Sequence, residues 1–136
     1  MIFRRKTPGE KETSKLHKAL AKAFWNITDH YSFTQKEQAI LLGIKESKGG
    51  LNSYRKKVEI PDDPDTRLRV SHLIGIHENL RNLFPHNREI IYAWMKTKRD
   101  LFEGKSAMEY ISEDEHNSLP RIFSVRCLLD QILVSS

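Results

Sequence analysis

Residues 87–110 read NREIIYAWMKTKRDLFEGKSAMEY, and this stretch decides the fold class. Ile90, Ile91, Trp94 and Met95 fall at helical spacing, which predicts an amphipathic helix over Asn87–Thr97. Lys96, Lys98 and Arg99 crowd its C-terminal end, where the helix dipole favours positive charge. Gly104 supplies a backbone break, and Ser106 is placed to cap a following helix that carries Met108, Tyr110 and Ile111. Periodicity alone gives a helical hairpin inside a small core.

The same spacing extends outward in both directions. Upstream, Asp63-Pro64 forms a cap and first-turn pair. The helix it opens reaches about Leu83, with Leu73, Ile76, Leu80, Leu83 and Phe84 on one face and Val70, Ile74 and His77 beside it. So wide an apolar surface marks a central helix, within which Gly75 permits close packing and His77 reads as a hydrogen-bonded core residue. Downstream, the polar run 112–118 reads as a loop or a short capped turn. The last helix spans Leu119–Val134 with Ile122, Val125, Leu128, Leu129, Ile132 and Leu133 inward. Cys127 packs there as a small hydrophobe.

Toward the N-terminus, Leu16, Leu20, Ala23, Phe24, Ile27 and Tyr31 predict a helix over Thr13–Tyr31, with Lys15, Lys18 and Lys22 off its apolar face. Residues 1–12 are basic, contain Pro8-Gly9 and read as a flexible arm. Thr34 and Glu37 have capping-box spacing, and Gly43 suits the left-handed residue that ends a helix. The string QAILLGI, 38–44, resembles the first helix and turn of a bacterial helix-turn-helix. Leu51–Val58 is then the candidate recognition helix, with Leu51, Tyr54 and Val58 inward. Lys48, Asn52, Ser53, Arg55, Lys56 and Lys57 are the candidate DNA contacts, being types that bond phosphates and base edges. Gly49-Gly50 stands where such a helix normally begins and shortens it. A pair of structural helices with no DNA contact is the competing reading.

Composition limits the function classes. The chain has 136 residues, 38% of them hydrophobic and 30% charged, which suits one domain or two small lobes sharing a core. Residues 1–60 carry 13 Lys/Arg against 6 Asp/Glu (+7), and residues 61–136 carry 10 against 12 (−2), together the formal +5. A polyanion would therefore meet the first half. Cys127 is the one cysteine, no run is apolar enough for a membrane span, and the start lacks a secretion signal, so a cytoplasmic location is expected. No pair among His17, His30, His72, His77, His86 and His116 has zinc-ligand spacing, and no phosphate-binding glycine loop is present. These absences argue against an enzyme, a cofactor or a metal.

One resemblance goes further. The order Trp94, Lys96-Thr97-Lys98, then Asp100-Leu101-Phe102-Glu103-Gly104-Lys105-Ser106-Ala107-Met108 resembles the toxin-binding domain of Xre/MbcA/ParS-type antitoxins. The likeness spans roughly Arg67 to Leu133, and the segment LIGIHENLRNLFP, 73–85, looks like the stretch preceding the motif in that family. It implies an all-α protein with a helix-turn-helix lobe packed on a toxin-binding lobe. By that analogy residues 1–12 are the basic arm, 13–60 the helix-turn-helix region and 61–136 the toxin-binding region. It further implies that the chain neutralises a RES-type toxin that degrades NAD or ADP-ribosylates, and binds the operator of its own operon as a homodimer or toxin–antitoxin hetero-oligomer. Trp94 and Phe102 would form the toxin-binding face. The tail Ile132, Leu133, Val134, Ser135 and Ser136 would enter the toxin pocket, although the family's terminal glycine is missing. Two readings compete: a stand-alone helix-turn-helix regulator whose C-terminal part only dimerises it, and an interaction module that has lost DNA binding.

Overall fold

The computed structural model describes residues 5, 7–45 and 50–136. Among them the protein is all-α, with seven α-helices and no strand beyond a single bridge between Arg99 and Lys105. The helices are α1 (Pro8–Tyr31), α2 (Gln35–Leu42), α3 (Gly50–Lys57), α4 (Pro64–Leu83), α5 (Arg88–Ala93), α6 (Ala107–Glu113) and α7 (Ser118–Ser135). Helix α4 is the axis of the molecule, as its wide apolar surface predicts. It packs most extensively on α7 and also against α1, α2 and α5. Asp63 caps it by accepting from the Thr66 amide at 2.7 Å, and Pro64 fills the first turn, where no amide hydrogen is needed.

The buried apolar side chains form one cluster running from Leu20 on α1 to Leu129 on α7. Removing this much apolar surface from water is the dominant favourable term in folding. Polar ties then fix the helix register. Arg69 on α4 is buried; it donates to the Ile40 carbonyl on α2 at 3.0 Å, to Ser118 Oγ on α7 at 2.7 Å and to Asp65 at 2.7 Å. Asn79 donates to Asp130 across the α4–α7 contact at 2.6 Å. At Gly75 the backbone of α4 approaches the Arg126 side chain so closely that an added Cβ would lie 2.5 Å from it. His77 is hydrogen-bonded, as expected, to the Tyr31 hydroxyl at 2.9 Å.

Local signals behave as the residues dictate at α2. Thr34 and Glu37 form a reciprocal capping box, and Gly43 closes the helix in the left-handed region at φ 75°. Four expectations are corrected. The arm is shorter than residues 1–12, because Thr7 caps and Pro8 opens α1 five residues earlier than Thr13; the cap–proline pair outweighs the breaking tendency of Pro8-Gly9. Leu16 is 57% exposed rather than inward, because the first turns of α1 extend past the core. The helix expected over Asn87–Thr97 stops at Ala93 and tightens into a 3-10 turn over Trp94–Lys96, which leaves Ile90 largely exposed. Val58 is not inward either: it follows α3 in the left-handed region at φ 54°, with its side chain half exposed.

Candidate functional site

The motif residues build a tight reversal between α5 and α6. Arg99 and Lys105 pair across it, the Arg99 amide donating to the Lys105 carbonyl at 3.0 Å and the Gly104 amide to the Arg99 carbonyl at 2.9 Å. To turn this sharply, Glu103 and Gly104 both adopt left-handed backbone, at φ 56° and 85°. A glycine carries the second of these without a Cβ penalty. Ser106 then caps α6 in a capping box with Glu109, each side chain bonding the other's amide at 3.0 Å. Those bonds, led by the Ser106 amide, hold the Glu109 carboxyl below the usual carboxylate range.

Trp94 lies beneath the reversal and is only 4% exposed. It supports the site from below, with little of its ring open to a partner. Its ring meets Phe102 edge to face at 6.3 Å, and Phe102, half-buried, stacks on Tyr110 at 5.4 Å. On the other side the Arg99 guanidinium lies over the indole, 4.5 Å from its centroid. That guanidinium makes no ion pair or side-chain hydrogen bond among the described residues, and its buried Nε has no partner. Burial lowers its pKa from the ordinary arginine value. Leu101, at the tip of the reversal, is 60% exposed. An unpaired, stacked arginine beside an exposed leucine has the composition of a protein-docking anchor. The sequence reading names neither residue as a toxin contact. The signal was present in the apolar Leu101 between Asp100 and Phe102, which no helical period requires.

A groove of about 430 Å³ flanks this tip, lined by Leu101, Phe102, Lys105, Tyr110, Arg121 and Leu128 among others. Lys105 pairs with Glu113 at 2.7 Å; this hydrogen bond is the main reason the Glu113 carboxyl is held below its usual range. Arg121 donates to the Tyr110 carbonyl and lies over the Tyr110 ring. Leu128 also lines a second hollow with Ile132, Ser135 and Ser136. The structure thus brings Phe102 and the C-terminal residues onto one continuous side of α7. Ile132 and Leu133 are half-buried, and Val134 is 86% exposed. Ser135 is still helical and Ser136 Oγ bonds the Leu133 carbonyl, so this end is a helix terminus and not an extended plug.

The expected DNA contacts are less free than their residue types imply. Arg55 is engaged in an ion pair with Asp29 and lies over Trp25. Asn52 accepts from Gln35 at 3.4 Å, a weak bond joining α3 to α2. Ser53, Lys56 and Lys57 are exposed. Lys48 lies outside the described residues. No group of metal-ligating side chains occurs among the described residues, and none of their helices is long and apolar enough to cross a membrane.

No family model, curated protein or solved structure matches the chain.

Proposed function

We propose that this protein is an antitoxin of the Xre/MbcA/ParS type, which binds and neutralises a RES-type, NAD-consuming toxin. The observation that carries the reading is the Arg99–Trp94 stack beside exposed Leu101. The motif residues that resemble the family are the ones that build this projecting tip. In this reading Arg99 supplies a desolvated cation for a toxin carboxylate, Leu101 fills an apolar depression, and Phe102 with the groove toward Ile132 completes the contact. Trp94 is a positioning residue that holds Arg99 flat and immobile, which lowers the entropy lost on binding. The basic N-terminal half is the part that meets operator DNA, a role supported by its +7 balance against −2 in the remainder.

A second reading has its own observation. The Arg55–Asp29 pair and the Asn52–Gln35 bond engage two of the candidate DNA contacts and favour an interaction module without base-specific reading. The experiment is copurification of a tagged RES-type toxin with the wild type and with Arg99→Ala/Leu101→Asp. The wild type is expected to copurify and the double variant to be lost from the complex while keeping its helical circular dichroism. Equal recovery of both proteins would remove the tip from the contact.

A further inference from the structure

The sequence reading treats the lysines of α1 as solvating groups, yet the structure gives them a different character. Lys11, Lys15, Lys18 and Lys22 follow one another at spacings of four, three and four residues. They therefore form a single stripe along one face of α1, about 16 Å long at about 1.5 Å per residue. All four are exposed, and none makes an ion pair or side-chain hydrogen bond among the described residues. The one carboxylate further along that face, Asp29, is taken by Arg55.

The fold gains nothing from this arrangement. Like charges three and four residues apart destabilise a helix. Lys11 also stands at the end of the first turn, where the dipole disfavours cations. Every fully buried residue of α1 lies at Leu20 or beyond, so the preceding turns bury almost nothing. A helix extended past its core and lined with mutually repelling lysines is suited to a partner that supplies the missing negative charge.

We infer that the α1 lysine stripe is a phosphate-backbone contact surface for duplex nucleic acid, an inference that rests on the DNA-binding half of the proposed function. A duplex carries one charge per about 1.7 Å of its axis, so a straight stripe of this length faces several phosphates at once. Lys18 lines one groove with Val58 and the carboxylate residues Glu10, Glu59 and Asp62, yet makes no ion pair with them. Lys56 and Lys57 are further exposed cations of the N-terminal half, and phosphate contact needs no insertion of a recognition helix. An anionic membrane is disfavoured because Leu20, Phe24, Ile27 and Tyr31, the apolar face of α1, are buried in the core; Leu16 alone is left to insert.

The test is the affinity of the full chain for a duplex two helical turns long, of arbitrary sequence, between about 50 and about 200 mM salt. The variants are Lys11→Gln/Lys15→Gln/Lys18→Gln/Lys22→Gln, the same four positions changed to Arg, and Lys56→Gln/Lys57→Gln. The quadruple Gln variant is expected to keep its circular dichroism and toxin copurification. Its slope of log affinity against log salt should fall in magnitude by about 3 to 4, at about 0.9 per contact. The Arg variant should retain the wild-type slope. An unchanged slope in the Gln variant, with loss only in Lys56→Gln/Lys57→Gln, overturns the stripe and leaves the DNA-binding reading standing. No duplex binding by the wild type, or tighter binding to phosphatidylserine vesicles than to duplex, overturns both.

Discussion

Replacing Arg69 by alanine should destabilise the protein by about 3 to 4 kcal/mol. Its guanidinium is buried at the junction of α2, α4 and α7. Two of its three hydrogen-bond acceptors, the Ile40 carbonyl and Ser118 Oγ, lie in that buried junction. A hydrogen bond from a charged donor contributes about 1.5 to 3 kcal/mol, and a buried acceptor left unsatisfied loses a comparable amount. The loss is moderated at Ile40, whose carbonyl also accepts the Gly43 amide at 3.2 Å. The third acceptor, Asp65, is half exposed and becomes solvated, so its pair contributes under about 1 kcal/mol. At about 3 to 5 °C per kcal/mol for a domain of this size, the melting temperature should fall by about 9 to 20 °C. Urea denaturation followed at the helical circular dichroism band gives the free energy, and Asp65→Asn provides the comparison. If Arg69→Ala loses no more stability than Asp65→Asn, the buried junction does not tie the helices together and the reasoning fails.

Two other perturbations bear on the fold. Val58→Gly should stabilise by about 0.5 to 1 kcal/mol, because a β-branched residue at φ 54° carries about 1 to 2 kcal/mol of strain and glycine returns only part of it as chain entropy; a lower urea midpoint would show that the valine packs usefully. Stability should also fall as pH drops below the ordinary histidine pKa of 6.5. Burial first, then Arg81 and His30, lowers the pKa of His77 from 6.5, while Glu78 acts weakly the other way; burial and Arg126 lower that of His72. The unfolded chain therefore takes up these protons first, so their contribution is complete above pH 6.5 and is lost as pH falls through that value toward the folded pKa. His77→Gln should flatten the melting temperature across this window, and a wild-type profile already flat there would contradict the assignment.

Short-range chemistry was legible in the sequence, and long-range pairing was not. The Thr34–Glu37 box, the Asp63-Pro64 start and the Ser106 cap each depend on residues three or fewer positions apart. Each can therefore be read without knowing the fold. Pro8 follows the same rule, but the Pro8-Gly9 pair and the lack of apolar periodicity before Thr13 hide it. Arg55, by contrast, has the composition of a DNA contact, and its partner Asp29 lies 26 residues away. Trp94 and Leu101 illustrate the same limit in the site. Helical periodicity gives Trp94 an apolar face but not its depth, and it has no power over a reversal in which two successive residues turn left-handed. Leu16 shows that a periodic face continues past the core it serves, because the pattern contains no information about where the neighbouring helices stop.

The central claim is that the Arg99–Leu101 tip neutralises an NAD-consuming toxin. Its most direct test is the cellular NAD content of cells that express a RES-type toxin together with this protein or with Arg99→Ala/Leu101→Asp. The wild type should hold NAD and growth at the level of toxin-free cells. The double variant, expressed to the same level and equally helical, should let both collapse. Full protection by the double variant, or none by the wild type, would contradict the account.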